Sequence, residues 1–129
     1  MSDPTDPLSW VARAEEDYSL AQSALRRRKP LAYGAVFHAQ QCAEKYLKGR
    51  LSEAGISFGK VHDLVALLEV VLAVEAEWEA FREDLAYLSD FAVSFRYPGE
   101  SAEKDSALDA RRRCRKFRDA ARKALRLKT

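Results

Sequence analysis

Residues 32–55 read AYGAVFHAQQCAEKYLKGRLSEAG. Val36, Ala39, Ala43, Tyr46 and Leu47 recur at the three-four spacing that puts an apolar stripe on one side of a helix. Gly55 closes the stretch, as glycine does where a helix ends in a left-handed residue. The spacing predicts a helix over Ala32–Ala54. At 100° per residue, His38, Gln41, Lys45 and Lys48 share an arc of about 80° on another side, with Glu44 on its edge. Gly34, one turn before His38, leaves space above that face. Two ammonium groups, an imidazole and an amide on one face can hold a phosphate or a base edge. An ordinary solvated face is the plainer reading. Because this side opposes the apolar stripe, it is expected to lie outside the core.

The flanking sequence repeats the helical pattern. Asp6-Pro7 offers a cap followed by proline at the first helical position. Val11, Ala14, Tyr18, Ala21 and Leu25 then mark a first helix that should end near Arg28, before Pro30. Beyond the link Ile56–Val61, His62 or Asp63 can open a short third helix bearing Leu64, Leu67, Leu68 and Val71. A fourth helix is expected from about Glu75 to Phe95, with a core stripe of Phe81, Leu85, Leu88, Ala92 and Phe95, stopped by Tyr97-Pro98-Gly99. Ser101 can cap a fifth, with Glu103 in its first turn and Ala107, Ala110, Cys114, Phe117, Ala121 and Ala124 on its buried face. No segment alternates with period two, and none repeats. The expectation is an all-α fold, a five-helix up-and-down bundle forming one domain over residues 1–129.

Hydrophobic residues make up 47% of the 129 and charged residues 33%, which excludes a disordered chain. No run reaches the roughly 18–20 apolar residues of a membrane helix, and MSDPTDPLSW lacks an apolar signal region. A cytoplasmic protein without a membrane partner is therefore expected. Cys42 and Cys114 sit inside helical patterns and read as small buried hydrophobes rather than a disulfide framework or metal ligands. There is no glycine-rich phosphate loop, no HExxH, no metal-ligand spacing and no triad order, so neither a metal nor a cofactor is expected.

The net charge of +2 hides an asymmetry. Glu103–Thr129 holds eleven Lys/Arg and four Asp/Glu, a balance of +7 against −5 for the remainder. Within it Arg111, Arg115, Arg118, Arg122 and Arg126 step by four, three, four and four, lining one helix face over about 22 Å. Such a row can follow a phosphate backbone, or it can pair with acidic residues of the first helix. His62-Asp63 at a helix start can cap it or meet an anion. Arg96 can clamp an anion and Tyr97 can stack on a base; equally, both can pack against the bundle end. Tyr33, Phe37, Trp78 and Tyr87 look surplus to one core, which favours a homodimer.

The run Phe37-His38-Ala39-Gln40-Gln41-Cys42-Ala43-Glu44-Lys45-Tyr46-Leu47-Lys48 resembles the signature helix of HEPN domains. Gly55, then Val61-His62-Asp63-Leu64 with Leu67-Leu68, and Arg96-Tyr97-Pro98 follow in that family's order. The resemblance spans about Trp10 to Ala124. It implies a helical bundle that pairs through its helices, binding of nucleotide or RNA, and association with a separate minimal nucleotidyltransferase, as in toxin–antitoxin pairs. On this resemblance His38, Gln41, Glu44, Lys45, Lys48, His62, Asp63, Arg96 and Tyr97 are carried over as binding residues. Ribonuclease members carry an Arg followed after four to six residues by a His. Here the only histidines are His38 and His62, and the nearest preceding arginines are Arg28 and Arg50. A non-catalytic binding module is thus expected, with no catalytic residue assigned. The alternatives are a metal-independent ribonuclease toxin using His and Arg from separate helices, and a structural or antitoxin-like subunit whose Arg row docks an acidic protein.

Overall fold

The computed structural model describes residues 6–94 and 104–128, less the side chains of 91–94. The described residues form five α-helices: α1 Pro7–Arg26, α2 Ala32–Glu53, α3 Leu64–Val71, α4 Arg82–Ser94 and α5 Lys104–Ala124. No strand occurs among the described residues. No described helix is long and apolar enough to cross a membrane.

Local chemistry sets the helix ends. Asp6 accepts from the amide of Leu8 at 3.0 Å, with Pro7 in the first turn of α1. This helix stops at Arg26, two residues before the expected end, and the Leu31 amide turns back onto the Ala24 carbonyl at 2.9 Å. Gly55, at φ +71°, ends α2 in a Schellman motif: its amide meets the Ser52 carbonyl, and that of Ile56 meets Leu51. Asp63 caps α3 by accepting from Val65 at 2.8 Å and Ala66 at 3.2 Å.

The fourth element departs from the expected single helix over Glu75–Phe95. Ala76–Phe81 is 3₁₀, and the α-helix begins only at Arg82. In 3₁₀ geometry residues three apart lie over one another. Trp78 and Phe81 use this to meet the same ring, Phe117 of α5, at 5.0 and 5.5 Å. Trp78 is consequently core rather than surplus. Phe95, Ser101 and Glu103 lie outside the described residues, as do Arg96 and Tyr97.

Side-chain pairings give the helix directions. Trp10 faces Gly49, Glu15 faces Tyr46 and Asp17 faces His38 and Lys45, so α1 and α2 are antiparallel. Cys42 lies against Cys114 and Tyr46 against Arg122, so α2 and α5 run the same way. Asp84 meets Arg113, and Trp78 and Phe81 meet Phe117, so α4 opposes α5. The long helices therefore alternate up and down, with α3 packed on both α2 and α4. α2 is the central element: it packs on α1, α3, α4 and α5, and buries Val36, Ala39, Cys42, Ala43, Tyr46, Leu47 and Leu51. Both cysteines are buried and free, and burial is the first cause holding the Cys42 thiol well above its usual range.

Two glycines of α2 contrast. A Cβ on Gly49 would stand 3.3 Å from Trp10 Cβ, which its own backbone holds in place, whereas one on Gly34 would meet only Leu31 Cβ at 4.0 Å. Gly34→Ala should therefore raise stability by about 0.5–1 kcal/mol through backbone entropy. Gly49→Val should lower it by ~1–3 kcal/mol through overpacking. Urea unfolding of the two variants checks the opposite signs.

Candidate functional site

The polar side of α2 divides along its length. Toward the C-terminal end, burial wins. Glu44 is 2% exposed and Lys48 4%, against the expectation that this arc lies outside the core. The width of the apolar stripe misleads here, because α2 has neighbours on several sides. Lys48 Nζ sits 3.2 Å from Glu44 Oε2 and 5.5 Å from the ring centres of both Trp10 and Phe58. His62, its side chain 73% exposed, reaches back with Nδ1 to Glu44 Oε2 at 3.2 Å. Two of the candidate binding residues, Lys48 and His62, thus converge on the buried carboxylate of a third, Glu44, and His62 ties the α2–α3 loop to α2. Asp63 is the cap of α3. Glu44 Oε1 and Trp10 Nε1 are buried without a hydrogen-bond partner among the described residues, the costly arrangement for polar groups removed from water.

Further along, the arrangement opens. His38 Nδ1 lies 2.8 Å from Asp17 Oδ1. Lys45 Nζ lies 3.6 Å from Asp17 Oδ2 and donates to Gln41 Oε1 at 2.9 Å, while the Gln41 amide donates to Gln40 Oε1 at 2.8 Å. Gln41 and Lys45 are half-buried. His38 also lines an open groove of about 270 Å³ with Leu20, Ser23, Ala24, Arg27, Leu31 and Gly34. The absent side chain of Gly34 contributes to that space. The groove lies in the elbow between α1 and α2. Arg27 of its lining belongs to a run, Arg26–Lys29, whose four cations are all exposed and without a carboxylate partner among the described residues. An open hollow of about 650 Å³ adjoins Arg27, Arg28 and Lys29. Leu20, Leu31, Tyr33 and Phe37 are exposed around the same elbow, and Phe37 packs edge-on against His38 at 5.2 Å.

The arginine row on α5 is not one face open to a ligand. Arg118 Nε and Nη2 each donate to Glu15 of α1 at 2.7 Å. Arg122 lies 3.7 Å from the same carboxylate and donates to the Tyr46 hydroxyl at 3.0 Å, which in turn donates to Glu15. Arg118 also stacks over Tyr18 at 4.3 Å. Arg111 donates to Gln22 at 3.2 Å. Arg126 lies past the helix end at φ +62°, so it leaves the row altogether. Arg115 is exposed. The row therefore serves chiefly to join α5 to α1, because that helix places Glu15 on its inner edge. Of the aromatics expected to be surplus, Tyr87 is half-buried beneath Arg113 at 4.3 Å, while Tyr33 and Phe37 remain exposed.

Sequence reasoning missed Asp17, Arg27 and Leu31. Asp17 adjoins the α1 stripe residues Ala14 and Tyr18, and an acid beside a buried stripe is the signal for a cross-helix partner. Arg26-Arg27-Arg28-Lys29 is a visible cationic run, legible as a surface feature but not as the rim of a groove. Among the described residues no group of His, Cys, Asp or Glu is arranged to hold a metal.

Burial raises the Glu15 pKa, but the hydrogen bonds from Arg118 and Tyr46 and the charges of Arg118 and Arg122 outweigh it, so the net shift is downward. Burial, then the bond to Glu15, pushes the Tyr46 phenol up, which keeps it a donor. A depressed carboxylate pKa stabilises the fold above the unfolded value, near 4.3, and that contribution is lost as pH falls through the lower folded value. Glu15→Gln should therefore flatten the acid limb of the stability curve below about pH 4. Urea midpoints from pH 2 to 7 measure it. Lys48→Met strands a buried carboxylate and should cost about 3 kcal/mol. Lys45→Met should cost under ~1 kcal/mol. Equal losses in thermal unfolding would refute this division of α2.

A family model described as HEPN domain matches residues 8–124 of the chain. No curated protein matches, and no solved structure matches.

Proposed function

Since the chain belongs to the HEPN family, we propose that it is a nucleotide- or RNA-binding module whose contact surface is the elbow between α1 and α2. The observation that carries this reading is the groove itself. It joins a carboxylate-held imidazole, His38, to a cationic turn, Arg26–Lys29, that has no acidic partner among the described residues. Apolar walls suit the face of a base, and guanidinium groups at the rim suit phosphate. Tyr33 and Phe37 offer further stacking surface, or cover for it in a homodimer.

Of the residues expected to bind, His38 fits best, with Gln41 and Lys45 beside it. Glu44, Lys48, His62 and Asp63 have roles in holding the loop and α3 instead. Chemistry on the bound molecule would fall to a nucleotidyltransferase partner in a toxin–antitoxin-like pair. The missing Arg-x₄₋₆-His spacing favours that division of labour. One observation favours the second reading, a metal-independent ribonuclease: Arg27 and His38, distant in sequence, line the same groove. There His38 would take a ribose 2′-hydroxyl proton and Arg27 would steady the phosphorane charge.

Thermal-shift titration with AMP and a short single-stranded RNA tests the main reading. A ligand at 100 times its Kd adds about 2.7 kcal/mol of stability. Gly34→Leu, which fills the groove, and Arg27→Glu should each abolish the shift, whereas Arg115→Glu should not. Retention of the shift in both groove variants would exclude the elbow. RNA cleavage abolished by His38→Ala would transfer the assignment to the ribonuclease reading.

A further inference from the structure

The groove presents hydrogen-bonding groups of fixed sense. An ionised aspartate only accepts, so Nδ1 of His38, 2.8 Å from Asp17 Oδ1, carries the hydrogen. In the neutral imidazole this leaves Nε2, on the other edge of the ring, as a bare acceptor. The remaining lining differs in kind. Leu20, Ala24, Leu31 and Gly34 bring no polar side-chain atom, Arg27 only donates, and the Ser23 hydroxyl serves either sense. Lys45, the other charged group near Asp17, also only donates. Among the described side chains that line the groove, His38 is therefore the one that brings a committed acceptor, its Nε2.

Size narrows the occupant. About 270 Å³ falls just below the roughly 300–1,000 Å³ of pockets that enclose drug-sized ligands. One heterocycle fits such a space, with its sugar and phosphate outside. Arg27 lines both this groove and the neighbouring hollow with Arg28 and Lys29, which puts cations beside the groove for such phosphates.

We propose that this groove selects nucleobases bearing an exocyclic amine, adenine or cytosine, over their keto counterparts, and that Asp17 is the positioning residue that sets the preference through His38. The amine of adenine or cytosine donates to Nε2, whereas a keto oxygen at the same place would set one acceptor against another. The proposal rests on the nucleotide-binding reading of the elbow and deepens it.

Calorimetric titration of the full chain with two matched pairs, AMP against IMP and CMP against UMP, compares the amine edge with the keto edge, since each pair shares its sugar and phosphate and differs only at the exocyclic group and the ring nitrogen beside it, an acceptor in the amine member and an N–H donor in the keto member. The wild type should favour the amine member of each pair by about tenfold or more, as sites built on a specific hydrogen bond do. Asp17→Asn, whose amide can donate to Nδ1 and release the other tautomer, should still bind AMP but narrow the preference to within about twofold. His38→Gln, which offers both senses, should narrow it likewise and leaves the test intact should Asp17→Asn fold poorly. A merely structural role for Asp17 would weaken all four nucleotides alike. Equal wild-type affinity within both pairs overturns the proposal while leaving the nucleotide reading standing. Preference undiminished in Asp17→Asn and His38→Gln also overturns it. Absence of binding by all four overturns both.

Discussion

α2 lies at the centre of the bundle, and its polar groups must find partners there or reach water. Removing a carboxylate or ammonium group from water costs several kcal/mol unless it is paired, so this constraint decides what each polar residue of α2 is for. Glu15 of α1 takes the Tyr46 hydroxyl, and Asp17 takes His38 and Lys45. Glu44 takes Lys48 and His62. Two neighbouring acids on α1 thus fix the orientation of both the core phenol and the groove imidazole. The same bonds that set helix register also prepare the chemistry of the elbow.

Electrostatics follows from that pairing. The basic C-terminal segment is partly neutralised within the fold, Arg118 and Arg122 against Glu15, Arg113 against Asp84 and Asp109. Partly buried pairs of this kind contribute more to docking one helix on another than to attracting a ligand. A run of four exposed cations without a carboxylate partner among the described residues, Arg26–Lys29, lies instead on the α1–α2 turn, where a helix has just ended. A short turn holds its guanidinium groups close together at the surface, which raises the local positive potential more than a row spread along a helix.

Most of the helix limits were legible because they rest on local chemistry: Asp6-Pro7, Gly55 and Asp63 act within a few residues of themselves. The core stripe of each helix was legible for the same reason, since its period is a property of one helix. What periodicity cannot give is the width of the buried arc. That depends on how many neighbours a helix has, and α2 has four. Periodicity therefore puts Glu44 and Lys48 at the surface, and it leaves the arginine row open between a free face and pairing with acids of the first helix. Asp17 was invisible as a site residue because its role appears only when α1 and α2 are set antiparallel. His38 and the space over Gly34 were found from sequence because both belong to one helix face. Arg96 and Tyr97 lie outside the described residues, and their place in the scheme rests on family resemblance.

On the proposed reading the imidazole of His38 joins helix packing to ligand recognition, so its proton distribution is the most direct measure of the whole account. Long-range ¹H–¹⁵N NMR of the intact protein, recorded where the ring is neutral, distinguishes a protonated ring nitrogen from a bare one. The account predicts for His38 a protonated Nδ1 and a bare Nε2, with the Nε2 resonance moving as AMP is added. A His38 ring protonated at Nε2 alone, or one whose nitrogens ignore AMP while other groups respond, would contradict it.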